Sequence, residues 1–210
     1  MGLEEPKSNR DLRRQAILEV ARAVFAEEGY AAASMSSIAA RVGGSKATLY
    51  NYFRSKEELF AAIVHARCEE EGSVVFNFDL ADDDVANSLQ RVGEGFLRMI
   101  IGDETMAMHR VILAEIERFP ELGRIFYEGG PRRGVTRLGG YLERAMAEGR
   151  LRQADAELAA EQFLTLCKVK HHFKRQYTGA PPPTAAEIKA HVAMTVDTFL
   201  RAYAPSSAAR

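Results

Sequence analysis

The residue types best suited to chemistry gather between Gly29 and Lys56. Ser34, Ser36, Ser37, Ser45, Lys46, Ala47, Thr48, Tyr50, Asn51, Tyr52 and Lys56 bring hydroxyls, an amide, small methyl surfaces and ammonium groups. The stretch also holds Arg41 and Arg54 but no Asp or Glu, in a chain whose formal net charge is −1. Reading the major groove of DNA takes donors, acceptors and methyl contacts on a helix that fits the groove. Lys46, Ala47, Thr48 and Tyr50 are expected to face it. Lys46 can donate to guanine O6 and N7, and Ala47 and the Thr48 methyl can touch thymine methyls. Tyr50, Asn51, Tyr52 and Lys56 suit phosphates, as do Ser34, Ser36 and Ser37 at a helix N-terminus, where the dipole favours an anion. For Tyr52 a partly buried structural role is equally open.

Short helices must carry these groups. Residues 9–28 read as a first helix, because Ile17, Val20, Ala21, Val24 and Phe25 repeat at helical spacing. Asn9 suits its N-cap and Gly29 its C-cap. Arg10, Arg13 and Arg14 stand near its start, either as a solvated face or as phosphate contacts. Ser34 or Ser36 can begin a second helix reaching about Val42, with Met35, Ile38, Ala39 and Val42 turned inward. Gly43-Gly44 ends it, since glycine takes a positive φ without a Cβ clash. Ser45 then caps a third helix over roughly 46–52, with Leu49 and Phe53 inward. Two helices about a short glycine turn form a helix-turn-helix pattern. Ser55 with Glu58 predicts a capping box for a fourth helix.

Bulk properties bound the rest. The chain has 210 residues, 47% hydrophobic and 27% charged, as in an ordinary globular protein. Its start is polar without an apolar core, so no secretory signal is read there. No apolar run approaches the roughly 18 residues of a membrane span. Cys68 and Cys167 fit no metal or redox spacing and read as small hydrophobes. These features predict a cytoplasmic protein. Residues 1–56 are net positive and residues 57–210 net negative. A near-neutral chain with one positive front end suits a small DNA-contacting face, built from 41–56 and 7–14, and not a general nucleic-acid coat.

Beyond an aromatic, then acidic connection at 72–84 the pattern is again helical, over about 84–101, 104–118, 121–128, 132–148, 155–178 and 184–204. Asp103 and Asp155 are expected N-caps, and Thr184 with Glu187 a capping box. The fold class is all-α. A helix-turn-helix domain at 1–56, with a linking helix at about 56–71, joins a larger helical domain at 72–210. In the last two helices the wide apolar faces need partners, inside the chain or in a second copy as a four-helix bundle. Leu166, Phe173, Tyr177, Val192, Val196, Phe199 and Leu200 are the candidates for a dimer interface. Phe96, Met99, Met106, His109, Ile112, Phe126, Leu138, Tyr141, Phe163 and Cys167 are candidates to line a pocket for hydrophobic or aromatic molecules, though each also suits a plain core.

At this point the residues resemble the TetR family of bacterial transcriptional regulators. The resemblance runs from Ala16 to Phe60. Its centre is Gly29-Tyr30, Ser34, Ile38-Ala39, Val42-Gly43, Ser45 to Phe53, and Ser55 to Leu59. Gly44 departs from it, since the family usually carries a small aliphatic residue there. More weakly, Glu115 to Leu122 and the Phe173 to Gly179 region resemble the subgroup typified by the repressor AefR. The resemblance implies a homodimer held by the last two helices, an effector pocket in the larger domain, and release of an operator when effector binds.

Other classes find little support. There is no nucleophile motif, phosphate-cradling glycine loop or H-E-x-x-H pattern, so no enzyme and no cofactor is implied. Cys167 and His171 share a helix face, but two ligands do not close a zinc site and no metal is predicted. An architectural DNA binder without a ligand, or an activator, is the alternative to a ligand-responsive repressor.

Overall fold

The computed structural model describes residues 8–75 and 84–205, without the side chains of 68, 70, 71, 73 and 74. Lys7, the Cys68 side chain and most of the 72–84 connection therefore lie outside the described residues. Those described form eleven α-helices in two compact units. The first holds residues up to Arg67 together with Ala107–Gly129, and the second holds Cys68–Met106 and Gly130 onward.

In the first unit, α1 (Asn9–Ala32) begins at Ser8, not Asn9, in a capping box with Asp11. Gly29 interrupts it as expected, with φ +79°, and one further turn follows. α2 (Met35–Val42) starts at Ser34 and ends at Gly43, whose φ of +70° closes the turn into α3 (Lys46–Tyr50). The Gly43 and Gly44 N–H groups recover the Ala39 and Ala40 carbonyls left over at the end of α2. α4 (Lys56–Val75) runs further than predicted, and Ser55 Oγ accepts from its Glu58 N–H at 3.1 Å. The Glu58 carboxylate bonds the Arg54 N–H instead of the Ser55 N–H, at 2.7 Å.

Phe25, Tyr30, Phe60 and Phe119 form the aromatic centre of this unit, with ring centroids 5.2–5.8 Å apart. Glu115, near the end of α6 (Asp103–Glu115), accepts the Ala31 N–H at 2.9 Å. α7 (Pro120–Gly129) follows Phe119. These contacts explain why the 107–129 segment joins the N-terminal helices. The sequence-based division at 56 and 72 took no account of it, because nothing local signals a contact between residues 84 apart.

The second unit is built on α5 (Val85–Ile101), α8 (Pro131–Ala147), α9 (Ala156–Lys168), α10 (His171–Thr178) and α11 (Ala185–Tyr203). Asp84 caps α5, Asp155 caps α9, and Thr184 with Glu187 makes the expected box on α11. Asp103 does not cap α6; it is its first residue, and its carboxylate pairs with Arg175. The single helix expected over 155–178 is two. Had the helix continued, the Cys167 carbonyl would accept the His171 N–H. Here the His191 ring donates Nε2–H to that carbonyl at 3.1 Å, a side chain inserted into the helical ladder.

The core of this unit is a continuous apolar cluster through α5, α8, α9 and α11. Val192, Val196 and Phe199 are buried in it, which corrects their placement in a dimer interface. They point inward because Leu89, Val92, Phe96 and Phe163 need their cover. The apolar residues left outside are Leu158, Val169, Phe173, Tyr177 and Met194, the last two 76% and 60% exposed. Leu166 and Leu200 are half-buried.

Gly93 is the point of closest approach. A Cβ there would stand 2.6 Å from Val192 Cγ1 and 3.3 Å from Cys167 Sγ and Phe163 Cζ. Gly93→Ala therefore overpacks the core, at a cost of about 1–3 kcal/mol. In thermal denaturation the variant is expected to melt roughly 2–4 °C lower for each kcal/mol lost. An unchanged melting temperature would contradict this packing.

Candidate nucleic-acid interface

The helix-turn-helix is held by groups the sequence reading had assigned outward. Arg13 Nη2 donates to the Val42 carbonyl at the end of α2, at 3.4 Å. The Arg14 guanidinium lies 5.2 Å over the Phe53 ring. Both brace α1 against the turn, and Arg14 does so while staying exposed to solvent. Arg41 pairs with Glu27 at 2.6 Å. The Arg13 guanidinium also stands 3.2 Å from where a Gly44 Cβ would lie, taking up space that an aliphatic side chain would fill.

Lys56 is corrected most plainly. Its ammonium donates to the Tyr30 carbonyl at 2.7 Å and the Ala33 carbonyl at 3.0 Å, and lies 4.2 Å over the Tyr30 ring. Burial lowers its pKa, while Glu57 and Glu115 oppose that shift. A lysine so engaged ties α4 to the end of α1 and is not available to a phosphate. Below it, the Tyr30 hydroxyl donates to Glu57 Oε1 at 3.2 Å, and burial with that carboxylate pushes the phenol pKa up.

What remains facing outward is compact and polar. Ser34, Ser36, Ser45, Lys46, Ala47, Tyr50 and Asn51 are exposed, and Ser37, Thr48 and Tyr52 are partly so. Ser34 and Ser37 Oγ are occupied in a reciprocal cap, and Ser45 Oγ accepts the Thr48 N–H at 3.0 Å. The Thr48 hydroxyl is 2.8 Å from Ser45 Oγ, so the local bond turns it toward the cap. Lys46 Nζ lies 5.8 Å over the Tyr50 ring, one turn along α3. Held so, α3 presents Lys46, Ala47 and Tyr50 on its exposed face.

This geometry agrees with two family matches. Residues 17–63 match the family described as bacterial regulatory proteins, tetR family. Residues 87–205 match the AefR-like transcriptional repressor, C-terminal domain. The chain belongs to the TetR family. Regulators of this family are DNA-binding proteins and not enzymes. A TetR-family regulator from Mesorhizobium loti superposes with a TM-score of 0.83 at 25% identity, over 94% of this chain and all of that one. The flavonoid-responsive regulator FrrA superposes at 0.82 with 33% identity and the same coverage. The HTH-type transcriptional activator FasR of Mycolicibacterium smegmatis is 37% identical over 94 residues, 45% of this chain and 43% of FasR. The repressor AcnR of Corynebacterium diphtheriae is 40% identical over 64 residues, 30% of this chain and 34% of AcnR. The match thus spans less than half the length of these curated relatives.

The pocket candidates divide between the two units. Phe96, Leu138, Tyr141, Phe163 and Cys167 belong to the continuous core of the second, with Met99 packed against it and Met106 buried. His109, Ile112 and Phe126 belong to the first, where the His109 and Phe126 rings meet edge-on at 5.0 Å. Cys167 is fully buried and its thiol pKa is pushed up to about 12, which suits an inert core residue. His171 is buried with its ring 5.2 Å from His191, and among the described residues no group of three metal-ligating side chains forms. No described helix is long and apolar enough to cross a membrane.

Sequence reasoning missed Arg13, Arg14 and Lys56 as internal braces. The available signal was their spacing from Val42, Phe53 and Tyr30, which only the fold supplies. Removing the Lys56 ammonium deletes two charge-assisted bonds and contacts with the Tyr30 and Phe119 rings. Lys56→Ala is expected to cost about 1–3 kcal/mol of stability. The salt slope of DNA binding should not change, whereas a phosphate lysine would reduce it by about 1. A reduced slope with unaltered melting would restore the phosphate role.

Proposed function

We propose that the chain is a ligand-responsive repressor that binds a near-palindromic operator as a homodimer and is released by a small hydrophobic or aromatic effector. One observation carries the DNA half of this reading. Arg13, Arg14 and Lys56 are engaged by groups of the first unit, and α3 is left with an exposed lysine, methyl and hydroxyl face. The apolar residues left outside on α9, α10, α11 and the α9–α10 junction, namely Leu158, Val169, Phe173, Tyr177 and Met194, favour a second copy as their cover. Phe173 and Tyr177 stack with centroids 6.3 Å apart, a flat apolar surface. The match to an AefR-like repressor domain favours repression. The flavonoid response named for FrrA, which aligns over its whole length, favours an aromatic effector. A cytoplasmic location fits a protein that acts on DNA.

Binding-site selection from random duplexes is expected to return an inverted repeat, with half-sites about one helical turn, ~34–36 Å, or somewhat more apart. An asymmetric or featureless consensus would overturn the dimeric operator. Met194→Asp with Tyr177→Asp is expected to convert a dimer to a monomer in native mass spectrometry. Operator affinity should then fall by at least about tenfold, or 1.4 kcal/mol. A dimer that survives both changes would place the interface elsewhere.

A further inference from the structure

The α9–α10 pair carries a second row of side chains that DNA recognition and dimer formation leave unused. Lys168, His172 and Arg175 lie at i, i+4 and i+7. The intervening Val169 and Lys170 keep right-handed helical dihedrals, so the three share a face. All three are wholly or partly withdrawn from water, and the Arg175 side chain is only 11% exposed. The Lys168 ammonium lies 5.6 Å over the Phe96 ring of α5. Arg175 Nη2 donates to Asp103 at the start of α6, while its Nε and Nη1 are buried without a hydrogen-bond partner. Two residues past Asp103, the buried Thr105 hydroxyl oxygen also has none. Every one of these residues belongs to the second unit.

The chemistry is unbalanced in one direction. Lys168 and Arg175 put two cations on this face, and Asp103, the carboxylate that pairs with Arg175, is 89% exposed. Buried guanidinium N–H groups without acceptors are costly in a closed protein and well suited to an incoming acceptor. Burial also lowers the pKa of Lys168, whose ammonium stands over the Phe96 ring. Seven residues of helix separate Lys168 from Arg175, or about 10 Å along the axis. That span suits an elongated ligand better than a small inorganic ion, and Phe96 supplies an aromatic surface at one end.

We propose that this row is the polar half of the effector site, and that the effector is an organic anion, a planar aromatic acid or acidic phenol whose oxygens are taken by Arg175 and Lys168. The inference rests on the ligand-responsive reading above and names the chemistry of its ligand. A carboxylate and a phenolate would both serve, and the probes separate them.

The experiment uses the full chain and two probe pairs: a hydroxycinnamate against its methyl ester, and a hydroxyflavone against its methyl ether. An anionic member of one pair is expected to bind at least tenfold more tightly than its neutral partner by calorimetry, and to release operator DNA. Lys168→Met and Arg175→Gln should each remove that preference. Without any ligand, Lys168→Met should raise the melting temperature by roughly 2–4 °C, because it deletes a desolvated charge held for a partner. A lysine paired inside the chain would instead lower it, and that result overturns the proposal. So does equal binding of the charged and neutral probes, or a charge preference that survives both substitutions. Release of operator by neutral probes alone would defeat this inference while leaving ligand response intact. If no probe binds and Lys168→Met lowers the melting temperature, the inference fails. A failure of the ligand-responsive reading itself would show separately, as an operator complex that no cell extract of small molecules dissociates.

Discussion

Helices of eight and five residues cannot hold their own shape, and the two helices of the helix-turn-helix, α2 and α3, are of that length. An isolated helix shorter than about 12–15 residues is marginal in water, because nucleation costs more than a few hydrogen bonds return. α2 and α3 therefore depend on what satisfies their ends. Ser34 and Ser45 take the first N–H groups, Gly43 and Gly44 recover the last carbonyls of α2, and Arg13 adds a donor at Val42. The inward row of Ile38, Ala39, Leu49 and Phe53 supplies the burial. Remove the end bonds and the recognition helix has no fixed direction, whatever side chains it carries.

This constraint governs where the positive charge goes. A basic segment suggests phosphate contacts, yet Arg13, Arg14, Arg41 and Lys56 all find partners within the protein. Lysine and arginine suit this work because long apolar stems reach across a small unit and their donors match orphan carbonyls. Lys56 bridges two carbonyls near the end of α1 and rests on an aromatic ring, which a shorter side chain could not do. Electrostatic attraction to DNA is then left to a few residues and to helix ends, in keeping with a chain that is almost neutral.

Much of the architecture was legible in the residues. Ser34, Ser45, Ser55, Asp155 and Thr184 sit at helix starts and Gly43 at a helix end, because capping is a local bond with a local signature, while Gly29 kinks α1 one turn before its end. The outward face of α3 was legible for the same reason, once Leu49 and Phe53 marked its inner side. What stayed hidden was long-range. Helical periodicity shows that Val192, Val196 and Phe199 share a stripe, but not whether α5 or a second chain covers it. The break after Lys168 could not be read, because its cause, His191, is 24 residues away. Nor could a pairing such as Ala31 with Glu115 be foreseen, since each looks ordinary in its own segment.

The α9–α10 pair shows why such faces are hard to assign and why their assignment matters. At about 100° per residue its side chains fall into three rows roughly a third of a turn apart. Phe163 and Cys167 enter the core; Val169, Phe173 and Tyr177 stay outside; Lys168, His172 and Arg175 line a polar side. No row is apolar enough, or polar enough, to dominate the pattern. The polar row crosses the break between α9 and α10, while the tight contact at Gly93 leaves little room for the core row of α9 to give. A ligand that pulls on the polar row therefore cannot be met by repacking of that row alone. Arg175 shares α10 with the exposed Phe173 and Tyr177, so a displacement of that short helix would carry the exposed residues with it. In the effector site proposed above, coupling to the surface a partner would cover then needs no chain of intermediaries: two faces of α10 are enough.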